Sequence, residues 1–256
     1  MKLTCITIDI EEEFLKNRTV LKKQTIRLLS LFKKHQVRAT FFICGYLAEQ
    51  EAGLIKKISQ NHEIAAHGYT HHNLKRLCPE SLEAEIKKAR SAFLKIGLDP
   101  KGFRCPFLII PDQLERVLIK NQFQYDSSQS AALFTYYRTL YSFSRKKIKG
   151  IKEIPLQAFS PLKLPLSLTT IRLLGENFFY RFVPGQINNF LIHPWELTEA
   201  CQKNLSFREK LAMNSPFYLN TGPKAFTILE NLLIYLKTEG YHFITCQEWP
   251  IKQAVN

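Results

Sequence analysis

Short apolar runs separated by amphipathic stretches recur along the whole chain, and this alternation limits the fold more than any other feature. "LTCITID" (3–9), "RATFFIC" (38–44) and "EIAAH" (63–67) have the length and the β-branched or aromatic content of buried strands. Between and after them, Thr19–His35, Leu47–Gln60 and a stretch from Pro79 to about Gly97 carry helical spacing. The first offers Leu21, Ile26, Leu28, Leu29, Leu31 and Phe32 for a buried face, and Pro79 suits a first helical turn. Further strand ends follow at "FRCPF", "FQYDSS" (123–128), "KEIPLQ" (152–157), "NFLIHP" (189–194) and "YHFITC" (241–246). A short helix is predicted after Pro111, and a last one from about Pro223 to Glu239, with Asn220 or Thr221 as its cap.

Repeated strand–helix units predict an α/β fold, a parallel sheet with helices outside it, open or closed into a barrel. No internal repeat, low-complexity tract or linker interrupts it, so residues 1–256 read as a single domain. A segment from about 127 to 188 breaks the rhythm. It holds "YYRTLYSFSRKKIKGIK" (136–152), where aromatics interleave with Arg138, Arg145, Lys146, Lys147, Lys149 and Lys152, and then a stretch rich in Leu, Phe and Pro. This insertion is expected to form either an apolar lip with a basic rim or an ordinary hydrophobic cover over one end of the barrel.

Composition excludes several classes. With 45% hydrophobic and 23% charged residues the chain is an ordinary globular one, not a disordered one. No apolar run reaches the ~18 residues of a membrane span, and residues 1–20 show no signal-peptide pattern. Cys5, Cys44, Cys78, Cys105, Cys201 and Cys246 are scattered, without a C-x-x-C pair, as reduced thiols of a cytoplasmic protein would be. The formal charge of +14 suits nucleic acid, anionic lipid or a phosphorylated substrate, and equally a basic background.

Against that charge, the first strand ends in carboxylates: Asp9, Glu11, Glu12 and Glu13. In α/β sheets functional groups collect at the carboxyl ends of strands. Asp9 and Glu11 share a face if the chain stays extended. "HGYTHH" places His67 and His71 four apart, a spacing that one helical turn would bring to the same side of a metal ion. Arg104, Asp126 and His193 stand at later strand ends. Two imidazoles and one carboxylate leave coordination positions open, the pattern of a catalytic rather than a structural site. Each piece alone has a plain reading: a solvated charge run, a capping histidine, an ordinary ion pair, a turn at Asp126. Their recurrence at successive strand ends favours the functional one.

The ordered set "TIDIE", "HGYTH", "RCPF", "YDSS" and "LIHPWE" resembles the polysaccharide deacetylase (NodB-homology) family, carbohydrate esterase family four, in its branch with an Asp-x-Glu first motif. The resemblance implies a distorted (β/α) barrel, commonly of seven parallel strands. It also implies metal-dependent removal of an N-acetyl or other N-acyl group from an amino sugar. Carried over by position, Asp9 is the general base and Arg104 its partner. His67 and His71 are ligands of one divalent ion, taken as Zn²⁺, and Glu11 stands in for the second Asp of the commoner motif, whose place Ile10 occupies. The backbone N–H of Phe107 serves the oxyanion, His193 is the general acid, Asp126 tunes it, and Trp195 contacts substrate.

A cytoplasmic location, at most at the inner face of the membrane, points to a lipid-linked or other glycan precursor. Residues 136–182 are then candidates for contact with lipid or lipid phosphate, and no nucleic acid is expected. Two alternatives stand beside this reading: a metal-independent amidohydrolase of the same superfamily, and a sugar- or lipid-binding descendant without catalysis.

Overall fold

The computed structural model describes residues 1–12, 17–130, 150–159, 163–181, 183, 185–199 and 218–250. The strands are β1 (Lys2–Ile10), β2 (Thr40–Ile43), β3 (Glu63–Ala66), β4 (Gly102–Phe103), β5 (Tyr125–Asp126), β6 (Lys152–Glu153), β7 (Ala158–Phe159), β8 (Leu164–Pro165), β9 (Ile187–Ile192) and β10 (Tyr241–Ile244). The helices are α1 (Arg18–Lys34), α2 (Gly45–Gln50), α3 (Ala52–Ser59), α4 (Pro79–Lys95), α5 (Leu114–Lys120), α6 (Leu168–Leu174), α7 (Glu176–Tyr180) and α8 (Pro223–Thr238).

Seven parallel strands in the order β9-β1-β2-β3-β4-β5-β6 curl into a half-barrel, the parallel sheet that the alternation predicted with the strand number that the resemblance implied. The start of β1 also pairs with β10, from Lys2↔Tyr241 to Cys5↔Ile244. Between β6 and β9 the chain is bridged by backbone: Leu166 N–H donates to Gln157 O at 2.9 Å, and Leu191 N–H to Leu166 O at 3.0 Å. Burial of β1 from Thr4 to Ile10 explains its near-continuous apolar sequence, since helices cover one face and the barrel interior the other.

α1 begins where Asn17 accepts the Val20 N–H, and buries Leu21, Leu28, Leu31 and Phe32. Ile26, expected on that face, is 39% exposed. The single helix expected over 47–60 is two, because Glu51 leaves helical geometry at φ −126°, ψ 38°. α8 is capped by Gly222 at φ 73°, and neither Asn220 nor Thr221 caps it. Their side chains instead donate to Arg172 O and Tyr218 O.

The larger correction concerns the insertion. Its basic and aromatic part, 136–149, lies outside the described residues, as do Glu13 and Cys201. In the Leu- and Phe-rich part, Leu166, Leu168, Ile171 and Phe179 are fully buried in the main core, on β8, α6 and α7 or beside them, as a hydrophobic cover would be and a lip would not, whereas Phe178 is 41% exposed. Of the described cysteines, Cys5, Cys44, Cys105 and Cys246 are buried free thiols and Cys78 is exposed. Among the described residues no helix is long and apolar enough to cross a membrane.

Candidate metal centre and acid–base groups

β1 delivers Asp9 inside the barrel mouth, and Glu11 follows the strand's last residue on the same side; they are 3% and 4% exposed. β3 ends at Ala66, and the chain then turns through Gly68, whose φ of 69° favours glycine. The loop is pinned to α4, because the N–H groups of Tyr69 and Thr70 both donate to Glu85 Oε1, at 2.9 and 2.8 Å. His71 itself sits at φ 59°. The two histidines therefore meet across an irregular loop and not on the helical turn that their spacing suggested.

His67 Nδ1 donates to the Arg104 carbonyl at 2.9 Å, which fixes the tautomer and leaves Nε2 for the site. That Nε2 lies 3.6 Å from Glu11 Oε2 and 3.7 Å from Asp9 Oδ2. His71 Nε2 contacts the same Glu11 oxygen. Ligand atoms of Glu11, His67 and His71 all lie within 4.8 Å of one another, and all three residues are buried. Glu11 Oε1 is buried without a hydrogen-bond partner. Burial opposes ionisation of Glu11, yet the imidazoles of His71 and His67 hold its carboxyl well below the usual carboxylate range. A charged, under-satisfied carboxylate facing two imidazoles fits a divalent cation.

Arg104 follows the two-residue strand β4. Gly102 is required there, because a Cβ would stand 1.9 Å from the Tyr125 ring. The Arg104 guanidinium, with no exposed side-chain surface, donates to Asp9 Oδ1 at 2.7 Å, Ser127 O at 3.0 Å and Ser127 Oγ at 2.9 Å. It also lies over the Phe42 ring at 4.0 Å. After Pro106, Phe107 and Leu108 both take positive φ, 59° and 58°, a sparsely populated geometry of the kind that collects at functional sites. The Phe107 ring packs on His71 at 4.7 Å between centroids.

His193 directly follows β9, and Trp195, part-exposed, stands beside it at 5.9 Å. Burial works against the charged imidazole, but Glu196, Glu11 and Asp9 raise the His193 pKa. Glu196 is the carboxylate that His193 faces, at 3.5 Å from Nδ1. The contacts of Asp126 lie elsewhere: it accepts the Ser128 hydroxyl at 2.6 Å and shares a buried pocket with Glu153. Burial lifts Asp126 to about 6 and, with Asp126 beside it, Glu153 well above the usual range.

Glu196, its partner Arg172 and Glu153 were missed in the sequence. The signal for Glu196 was present, since it stands three residues after His193 in "HPWE". Glu12 pairs with Arg18 at 2.7 Å, as a surface carboxylate would.

A polysaccharide deacetylase family model matches residues 3–125. A peptidoglycan deacetylase of Helicobacter pylori is 32% identical over 124 residues, 48% of this chain and 42% of that protein. A peptidoglycan-N-acetylglucosamine deacetylase of Bacillus cereus is 33% identical over 94 residues, 36% of this chain and 34% of that protein. The chain thus spans less than half the length of these curated relatives. A carbohydrate esterase family 4 pseudoenzyme from Bacillus anthracis has the same fold, with a TM-score of 0.60 at 16% identity over 96% of this chain and 64% of that one. A family 4 carbohydrate esterase from Streptomyces lividans, solved with acetate, gives 0.58 at 16% identity over 94% and 90%. A carbohydrate esterase and a pseudoenzyme share this fold, so function has to be argued from the site. Over residues 3–125 the chain is therefore similar to polysaccharide deacetylases, and over most of its length it has the fold of family 4 carbohydrate esterases.

Proposed function

We propose that the chain is a metal-dependent deacetylase that hydrolyses an N-acetyl or other N-acyl group on an amino sugar. The observation that carries this reading is the convergence of Glu11, His67 and His71 within 4.8 Å beside the Arg104-held Asp9. These three side chains would hold the ion, taken as zinc from the two-imidazole, one-carboxylate donor set. Once bound, the ion supplies Lewis acidity, polarising the acyl carbonyl and making water nucleophilic near neutral pH.

The chain's own groups then divide the proton transfers. Asp9, held by Arg104, accepts the proton of the attacking water. The Phe107 N–H stabilises charge on the carbonyl oxygen, a contact worth roughly 3–4 kcal/mol where such donors have been removed. His193 donates a proton to the sugar nitrogen as the C–N bond breaks, because an unprotonated amine leaves poorly. Trp195, with Tyr218 at 5.7 Å, offers an aromatic surface for a sugar ring.

The names of the curated relatives support a glycan built on N-acetylglucosamine as substrate class. A lipid-linked precursor handled on the cytoplasmic side draws on the +14 charge and the basic run at 145–149. Burial of Leu166, Leu168, Ile171 and Phe179 takes the apolar support from that finer reading, and N-acetylglucosamine oligomers become the first substrates to test.

The test is metal content of protein purified without chelator, with acetate release from those oligomers. About one equivalent of zinc, lost in Glu11→Ala and in His71→Ala together with acetate release, is expected. Protein that takes up no divalent ion from excess zinc would overturn the metal-dependent reading and favour a metal-independent amidohydrolase.

A further inference from the structure

The segment that ends β9 carries an arrangement that the proposed chemistry does not yet use. His193 is followed by a short 3-10 turn, Pro194–Leu197, which Pro194 favours at its first position. A 3-10 turn has three residues per turn, so residues i and i+3 stand one above the other. His193 and Glu196 are so related. One Glu196 oxygen, Oε1, accepts the His193 backbone N–H at 3.1 Å and lies 3.5 Å from His193 Nδ1. His193 Nδ1 is buried without a hydrogen-bond partner among the described residues, and the Glu196 backbone N–H also faces the His193 side chain in a capping-box arrangement.

The other oxygen, Oε2, is held from the opposite side. It accepts Arg172 Nε at 2.9 Å and Thr169 Oγ1 at 2.8 Å, both from α6. The Arg172 and Glu196 side chains have no exposed surface, and Arg172 also donates to the Leu219 carbonyl. A carboxylate clamped on one oxygen and turned toward an imidazole on the other has its direction set by the fold.

We propose that Glu196 is the positioning residue of His193, keeping the Nδ1 proton on its own side so that Nε2 faces the reacting nitrogen, and that Arg172 and Thr169 hold Glu196 for this purpose. The proposal rests on the reading of His193 as general acid. It assigns to Glu196 the part that the family resemblance implied for Asp126.

Glu196→Gln tests this with little change of shape. Its carbonyl oxygen keeps Arg172 and Thr169, which turns the amide N–H₂ toward His193 and removes the acceptor for Nδ1–H. Two readouts separate positioning from support of the fold. The first is the tautomer of His193 by ¹⁵N imidazole NMR, assigned by difference with His193→Gln. Protonated Nδ1 is expected in the parent protein and unprotonated Nδ1 in Glu196→Gln. The second is hydrolysis of an N-acetylglucosamine oligomer beside 4-nitrophenyl acetate, whose leaving group needs no protonation. A fall in kcat of about 100-fold on the amide, less than about fivefold on the ester, KM within about twofold and full zinc content are expected.

Equal losses on both substrates would overturn the proposal, as would an unprotonated Nδ1 in the parent protein, which needs no folded variant. A parent protein that hydrolyses neither substrate while its Nδ1 proton depends on Glu196 would remove the deacetylase reading and leave the positioning contact standing.

Discussion

Arg104 donates from Nη1 to Asp9 Oδ1 at 2.7 Å, in a pair with 0% and 5% side-chain exposure. The contact occupies one carboxylate oxygen and leaves the other, Oδ2, on the His67 side at 3.7 Å. An anchored base with one oxygen turned to the metal-ligand cluster is what abstraction of a proton from water requires.

Asp9→Asn keeps the shape of that contact and removes the base. Loss of kcat on an amide substrate by about 10²–10⁴ is expected, the usual range for one general base. Zinc content should stay near the parent level, measured on the same samples. A matching loss of metal would make Asp9 a ligand instead.

Arg104→Met is expected to destabilise the protein by about 3–5 kcal/mol, because it leaves a buried carboxylate without its partner. It also strands the Ser127 carbonyl. Combined with Asp9→Asn, part of that cost should be recovered, and a double-mutant cycle in urea measures the coupling. Strict additivity would show that the guanidinium serves packing over Phe42 more than the charge of Asp9.

The Asp126–Glu153 pair predicts a pH dependence of stability. Asp126 titrates at about 6 in the fold against an ordinary value of 3.8, chiefly because of burial. The folded protein thus keeps a proton that the unfolded chain releases. This contribution is complete below about pH 4 and is lost as pH rises to about 6, with a slope of up to ~1.4 kcal/mol per pH unit. Asp126→Asn, whose Oδ1 can still accept from Ser128, should match the parent protein near pH 4 and exceed it at pH 7.5. Urea midpoints at the two pH values decide it, and a parent protein that gains stability over this window relative to the variant would refute the shared-proton account.

Trp195→Ala is expected to raise KM for a sugar oligomer about tenfold, a loss of ~1.4 kcal/mol in binding, with a smaller change in kcat. Its ring lies 5.7 Å from both the Arg172 guanidinium and the Tyr218 ring. A KM unchanged for the oligomer would remove Trp195 from the substrate surface.

Local pattern in the sequence determined the elements whose residues obey one period for long enough. β1, β2, β3, α1, α4 and α8 stand where alternation, helical spacing and the prolines Pro79 and Pro223 put them, and the parallel order of the sheet follows from that succession. The strand-end rule also marks Asp9, Glu11, His67, His71, Arg104, Asp126 and His193 as one group. What a periodic pattern cannot carry is the partner of a side chain across elements. The loop after β3, pinned by Glu85 on α4, brings His71 to Glu11, although no helical turn joins it to His67. α6 brings Arg172 to Glu196, so that His193 faces Glu196 while Asp126 is turned to Glu153. The same packing buries the Leu- and Phe-rich stretch that read as a lip or a cover, since an apolar run looks alike whether it meets solvent, lipid or its own core. Spacing encodes direction along one element. Contacts between elements depend on register, loop path and burial, and only the tertiary structure decided those.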